Sequence, residues 1–245
     1  MEEHEIWLTG LFNDHLAGLG TSILNAVGLT AEHPMRPWTN GVTMEILVVV
    51  LLMLLAIMAR ASLSVDKPGG LQHFFEVMVA QMHEMAGDIG IHHASKYIPW
   101  FGTLFLFILA MNLSGVVPGF ESATMTPSVP LGLAICTFLY YNTMGVKELG
   151  PLKYIAHFAG PIWWLAPLMF PIEIISNVAR LLSLTVRLWG NMFAGEVITN
   201  VFTGLTYIVG PAMFMGLHVF VSFLQAALFT LLTMVYIGMA TAHEH

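Results

Sequence analysis

Apolar residues come in long blocks separated by short polar stretches. The block at 42–61 reads Val-Thr-Met-Glu-Ile-Leu-Val-Val-Val-Leu-Leu-Met-Leu-Leu-Ala-Ile-Met-Ala and then reaches Arg60. A bilayer core takes roughly 20 helical residues, so this block predicts a first membrane span with Glu45 near one end. Further spans are predicted at 97–118, ending at Pro118-Gly119, and at 127–146. Two longer blocks follow at 161–203 and 211–241, separated by the turn chemistry of Gly204 and Gly210-Pro211. Both exceed what a perpendicular crossing needs, which predicts strong tilt. The stretch at 69–92 differs, because Leu71, Phe74, Phe75, Val77, Met78 and Met82 alternate with Gln72, His73, Glu76, Gln81, His83 and Glu84. That mixture predicts an interfacial amphipathic helix. Residues 1–40 form a mixed outer-side segment with Pro34 and Pro37, in which Ile6 to Val27 reads as a surface helix. The expected fold is an all-α integral membrane protein with five membrane crossings, one interfacial helix and two long, strongly tilted C-terminal helices. No internal repeat or low-complexity tract is evident.

Composition supports this. Of 245 residues, 57% are hydrophobic and 9% charged, against about 25% charged in a soluble domain. Too little polar surface remains to cover a water-soluble globule. A formal net charge of −7 argues against a nucleic-acid partner, which needs a basic face. Cys136 is the only cysteine, so an internal disulfide framework and a Cys-rich metal or cluster site are excluded. The acidic start Met1-Glu2-Glu3-His4-Glu5 lacks the basic region of a cleaved signal peptide, and no cleavage is expected.

The eight basic residues set the expected orientation. Arg60, Lys67, Lys96, Lys147 and Lys153 fall on one side if the first three spans alternate, and Arg36 on the other. This places the N-terminus outside, and the C-terminus in the cytoplasm after five crossings. Arg180 and Arg187 remain within the membrane.

Those two arginines carry the chemistry. A central arginine in a spanning helix costs about 2.5–3.5 kcal/mol on insertion scales and stays protonated. Arg187 therefore needs an anion or an aqueous cavity, yet its own helix offers no nearer unclaimed carboxylate than Glu196, nine residues on. Glu173, Arg180 and Arg187 are spaced by seven, close to two helical turns, so they share a face. Ser176, Asn177, Ser183 and Asn191 fall on or near it. One polar stripe on an apolar helix suits a helix bordering an aqueous path or a charged partner. On the last helix His218, Ser222 and Gln225 repeat the pattern, and Glu196 is a candidate partner for His218 because imidazole titrates near neutral pH.

Structural readings compete with these. Arg180 also reads as a counter-ion to Glu173, Ser222 and Gln225 as helix–helix hydrogen bonds, and His218 as a satisfied interior histidine. A haem or quinone protein with bis-His ligation would want two histidines within apolar helices, and of eleven only His218 is clearly so placed. An independent channel or transporter is a third class, but a transporter would often show a repeat.

The run Ser183-Leu184-Thr185-Val186-Arg187-Leu188-Trp189-Gly190-Asn191-Met192-Phe193-Ala194-Gly195-Glu196 resembles the signature of the F-type ATP synthase subunit a family. Pro171-Ile172-Glu173-Ile174-Ile175-Ser176, Leu224-Gln225-Ala226 with Tyr236, Lys67-Pro68-Gly69-Gly70-Leu71-Gln72 and Met111-Asn112-Leu113 are similar to that family as well. The resemblance implies a stator proton-translocating subunit of the FO sector, not catalytic by itself, in a bacterial inner membrane. Its implied partners are the c-ring, subunit b, the remaining FO and F1 subunits and lipid, with no cofactor and no metal. Arg187 then matches the stator arginine that faces a carboxylate on each passing c subunit. Glu196, His218 and Gln225 match the inlet side, Asn191 the lining of the path, and Glu173 and Ser176 the cytoplasmic half-channel. Arg180, Ser183, Ser222 and Asn112 are structural or lining candidates. Thr124-Met125-Thr126-Pro127-Ser128-Val129-Pro130 lacks the Asp or Asn residues that many relatives place before the following span, so the resemblance gives no firm polar lining there.

Overall fold

The computed structural model describes residues 5–26, 28, 36–65, 68–91, 93–117, 119–151, 153–154, 166–205 and 209–241. Lys67, Pro118, His157, residues 161–165 of the fourth long block, and His243 with His245 lie outside them. Among the described residues there are seven α-helices and no strand: α1 (Trp7–Ala26), α2 (Asn40–Ala61), α3 (Gly70–Asp88), α4 (Ile98–Ser114), α5 (Ser128–Leu149), α6 (Ala166–Leu205) and α7 (Val209–Thr241). Within four of them, stretches at Asn40–Ala61, Ser128–Leu149, Pro167–Thr199 and Ala212–Thr241 are long and apolar enough to cross a membrane; α4 is apolar but has 17 residues.

Local chemistry sets the helix ends. Thr39 caps α2 by accepting from the Val42 N–H, the preferred role of a hydroxyl at that position. The apolar pattern continues to Val117, but α4 stops at Ser114. The Ser114 hydroxyl bonds Met111 O at 2.7 Å and Glu121 O at 3.1 Å, turning the chain back on itself. Gly115 allows the return, since a Cβ there would lie 3.0 Å from the Ser122 Cβ. α5 runs on to Leu149 and is closed by Gly150, whose φ of +80° favours glycine. Gly204 lies inside the last turn of α6, and Pro211 inside the first turn of α7, where its missing N–H breaks no helical bond.

α4 is the centre of the bundle, with α2, α3 and α7 packed against it; α5 and α6 pack on α7 and on each other. Its Phe101, Ile108, Met111 and Asn112 are fully buried. α3 packs through Gln72, Phe75, Met78, Met82, Met85 and Ala86, a single stripe at helical spacing, and exposes its other faces.

Two ends of the bundle result. At one, Asn40 at the start of α2 reaches Glu121 at 3.1 Å, and the short 3-10 turn Ala123–Met125 packs on α6. At the other, Lys96 pairs with Glu148 at 2.5 Å. There a Cβ on Gly145 would meet Ala240 O at 3.0 Å, joining the ends of α5 and α7.

Candidate functional site

The polar residues of α6 span the bundle from end to end. Glu173 and Glu196 are 23 residues apart, about 35 Å at 1.5 Å per residue, comparable with the roughly 30 Å of a bilayer core.

Near Glu173 the polar groups satisfy one another. Arg180 Nη2 lies 3.6 Å from Glu173 Oε1, and its guanidinium carbon sits 5.5 Å from the centroid of the Tyr236 ring on α7. The Tyr141 hydroxyl of α5 donates to Asn177 Oδ1 at 2.6 Å, and Asn177 Nδ2 donates to the Glu173 carbonyl at 3.0 Å. Tyr154 donates to Asn142 Oδ1 at 2.7 Å; burial pushes its phenol up to about 12, so it remains a neutral donor. The counter-ion reading of Arg180 thus has its geometry. Ser176 is half-buried in this part of α6.

Arg187 is placed differently. Leu184, Leu188 and Met192 form the buried face of α6, while Leu182 and Val186 are more than half exposed on the outer face. Arg187 lies between the two faces, half-buried, with Ser183 and Asn191 exposed beside it. Its Nη2 is 3.5 Å from Ser183 Oγ, the outer limit of a hydrogen bond. Among the described residues it has no ion pair. One turn further on, Asn191 Nδ2 donates to Gln225 Oε1 at 3.0 Å, tying α6 to the buried Gln225 of α7.

At the other end Glu196, His218 and Asn112 come from three helices. Glu196 Oε2, His218 Nε2, Asn112 Nδ2 and Gln225 Nε2 are all buried without a hydrogen-bond partner among the described residues. Gly195 makes room for the imidazole, since a Cβ there would stand 3.2 Å from His218 Nδ1, and the ring also approaches the Asn112 backbone. Asn112 Oδ1 accepts from Thr124 Oγ1 at 2.7 Å. Ser222 is fully buried, but its hydroxyl donates to the His218 carbonyl of its own helix at 2.7 Å, so the helix–helix reading of that residue fails. A carboxyl and an imidazole with free buried polar atoms can take up and release protons.

Sequence reasoning missed Glu121, Asn40, Thr124, Tyr141, Asn142 and Tyr154. A tyrosine hydroxyl inside an apolar block is a usable signal, because it needs a partner when buried. Glu121 carries no more local signal than any acid in a polar loop.

The model of the ATP synthase A chain family matches residues 42–238. The chain belongs to the ATP synthase A chain family. The match runs from α2 into α7, so every candidate residue lies within it and α1 lies before it. Similar proteins include the ATP synthase subunit a of Solibacter usitatus, 55% identical over 96% of this chain and 100% of that protein. Those of Koribacter versatilis (46%, 99% of each) and Geotalea uraniireducens (42%, 81% of this chain and 86% of that protein) follow. An A chain moves ions within the FO sector and is not catalytic by itself. This chain is a multi-pass membrane protein of that kind.

Proposed function

We propose that this chain is the stator channel subunit of FO, with two offset half-channels that pass protons to and from carboxylates of a c-ring. The observation that carries this is Arg187: a permanent cation halfway along α6, at the edge of an exposed apolar face, with no ion-pair partner among the described residues. A passing carboxylate on a neighbouring subunit would supply its anion.

Protons enter near Glu196 and His218 and protonate a c-ring carboxylate beside Gln225 and Asn191. Once neutral, that carboxyl can turn into lipid, since the penalty for exposing a charge there is gone. Rotation brings a later protonated carboxyl back toward Arg187. An opposite charge a few ångströms away favours the ionised form, so the proton is released toward Glu173 and Ser176. The fixed guanidinium also bars direct leak between the half-channels. Membrane voltage adds about 2.3 kcal/mol per charge per 100 mV.

Five crossings in a bacterial inner membrane complete the proposal, with α4 as the short crossing, the N-terminus outside and the C-terminus inside. α6 and α7, with 40 and 33 residues, would be about 60 and 50 Å long and must lie strongly tilted. Subunit b and the remaining FO and F1 subunits would bind elsewhere on the bundle.

Arg187→Ala in the assembled ATP synthase is expected to reduce proton-driven ATP synthesis to background while the subunits still co-purify. Normal synthesis by that variant would overturn the reading.

A further inference from the structure

At the end of the bundle where Glu196 and His218 lie, the loop between α4 and α5 is folded into a fixed shape. Ser114 holds the Glu121 carbonyl, Ser122 packs against Gly115, and the turn Ala123–Met125 rests on α2, α4 and α6. These contacts leave the half-buried Glu121 side chain at a set position. Its Oε2 accepts from Asn40 Nδ2 at 3.1 Å. Asn40 is itself buried and accepts from the Ile6 N–H at 3.2 Å. The segment leading into α1 is in turn held by Glu5, which accepts from Asn13 at 2.7 Å and pairs with Arg36 at 2.5 Å. The turn that follows Glu121 packs on α6, the helix that carries Glu196. The same loop reaches the Asn112 side chain through Thr124.

We infer that Glu121 is a further proton-relay residue, positioned by Asn40, that takes protons at the mouth of the path and hands them to Glu196 and His218. The inference rests on the proton-channel reading above. In each relay step a Glu121 oxygen gains a proton from hydronium at the mouth, whose O–H bond breaks to leave water. The Glu121 O–H bond then breaks as the proton passes to the Glu196 carboxylate or to His218 Nε2. Glu121 returns as a carboxylate, and no other bond changes.

The test uses the complete ATP synthase in membrane vesicles, with proton-driven ATP synthesis read per assembled complex. Glu121→Gln keeps an oxygen that accepts from Asn40 but cannot carry the proton. It is expected to lower synthesis about a hundredfold, the low end of what a positioned acid or base contributes, and Glu121→Asp to restore most of it. Unchanged synthesis in Glu121→Gln overturns the inference, as does an equal loss in Glu121→Asp and Glu121→Gln, which would mark a packing role. If Glu121→Gln fails to assemble, Asn40→Ala, which leaves the carboxylate but removes the 3.1 Å bond from Asn40, must still lower synthesis several-fold; wild-type rates there overturn it. Arg187→Ala is measured alongside. Loss in that variant with normal synthesis in Glu121→Gln sinks only the relay, whereas retained synthesis in Arg187→Ala sinks the channel reading itself.

Discussion

At one end of α6, near Glu173, polar groups have found partners inside the chain; at the other, near Glu196, several have not. Arg180 has both Glu173 and the face of Tyr236, and Tyr141 and Asn177 close a short bond between α5 and α6. Around Glu196, three buried polar atoms, one each from α4, α6 and α7, lack a partner among the described residues, and Gln225 Nε2 further along α7 is a fourth. Leaving such a group unsatisfied costs about 1–3 kcal/mol, and lipid offers no hydrogen bonds to offset it. A bundle built only for stability would have paired these atoms or replaced them with apolar ones. The first end therefore fixes helix positions beside the proposed proton exit, and the second keeps buried groups open for exchange.

The contrast breaks first at the open end. Glu196→Gln should lower proton-driven ATP synthesis about a hundredfold or more, with His218→Leu acting in the same direction. The midpoint of thermal dissociation of the complex should hardly move, because Glu196 Oε2 has no hydrogen bond to lose among the described residues. Wild-type flux in both variants would demote these residues to packing.

The paired end should respond the other way. Tyr141→Phe deletes the 2.6 Å bond to Asn177 and leaves Arg180 and Glu173 in place. The expected effect is a loss of about 1 kcal/mol in stability, read as a lower dissociation midpoint, with proton flux unchanged. A matching fall in flux would show that protons leaving at this end pass through the tyrosine hydroxyl.

Much of this was legible along the chain because it is written in one helix at a time. The seven-residue spacing of Glu173, Arg180 and Arg187 needs only the helical period, and the cost of Arg187 needs only its apolar neighbours. Contacts between helices were not legible. Glu121 and Asn40 meet across 81 positions of sequence, and no local pattern pairs them. Periodicity put Ser222 on the face of His218 and Gln225, yet a buried serine can bond the carbonyl four residues back, and this one does. Hydropathy carried the second apolar block through Val117. What ends α4 at Ser114 is the close return of the chain past Gly115, a packing fact that residue polarity does not encode. Hydropathy measures how a segment partitions, and partitioning is silent on which neighbour covers it.

The smallest expected effect is the most specific. Gly195→Ala adds one methyl group to α6, and that methyl would stand 3.2 Å from His218 Nδ1, so the imidazole must give way by a few tenths of an ångström. The same change at Gly132 on α5 meets nothing within 4 Å. Replacing a helical glycine by alanine favours the helix by up to about 1 kcal/mol at either site, so stability alone cannot separate the two variants. Flux can: small misplacements of a reacting group are costly in rate, and Gly195→Ala should slow synthesis on the order of a few-fold while Gly132→Ala leaves it unchanged. Equal rates in the two would mean that the position of the His218 ring does not govern proton entry, and the open end would then owe its unpaired atoms to something other than transfer through that imidazole.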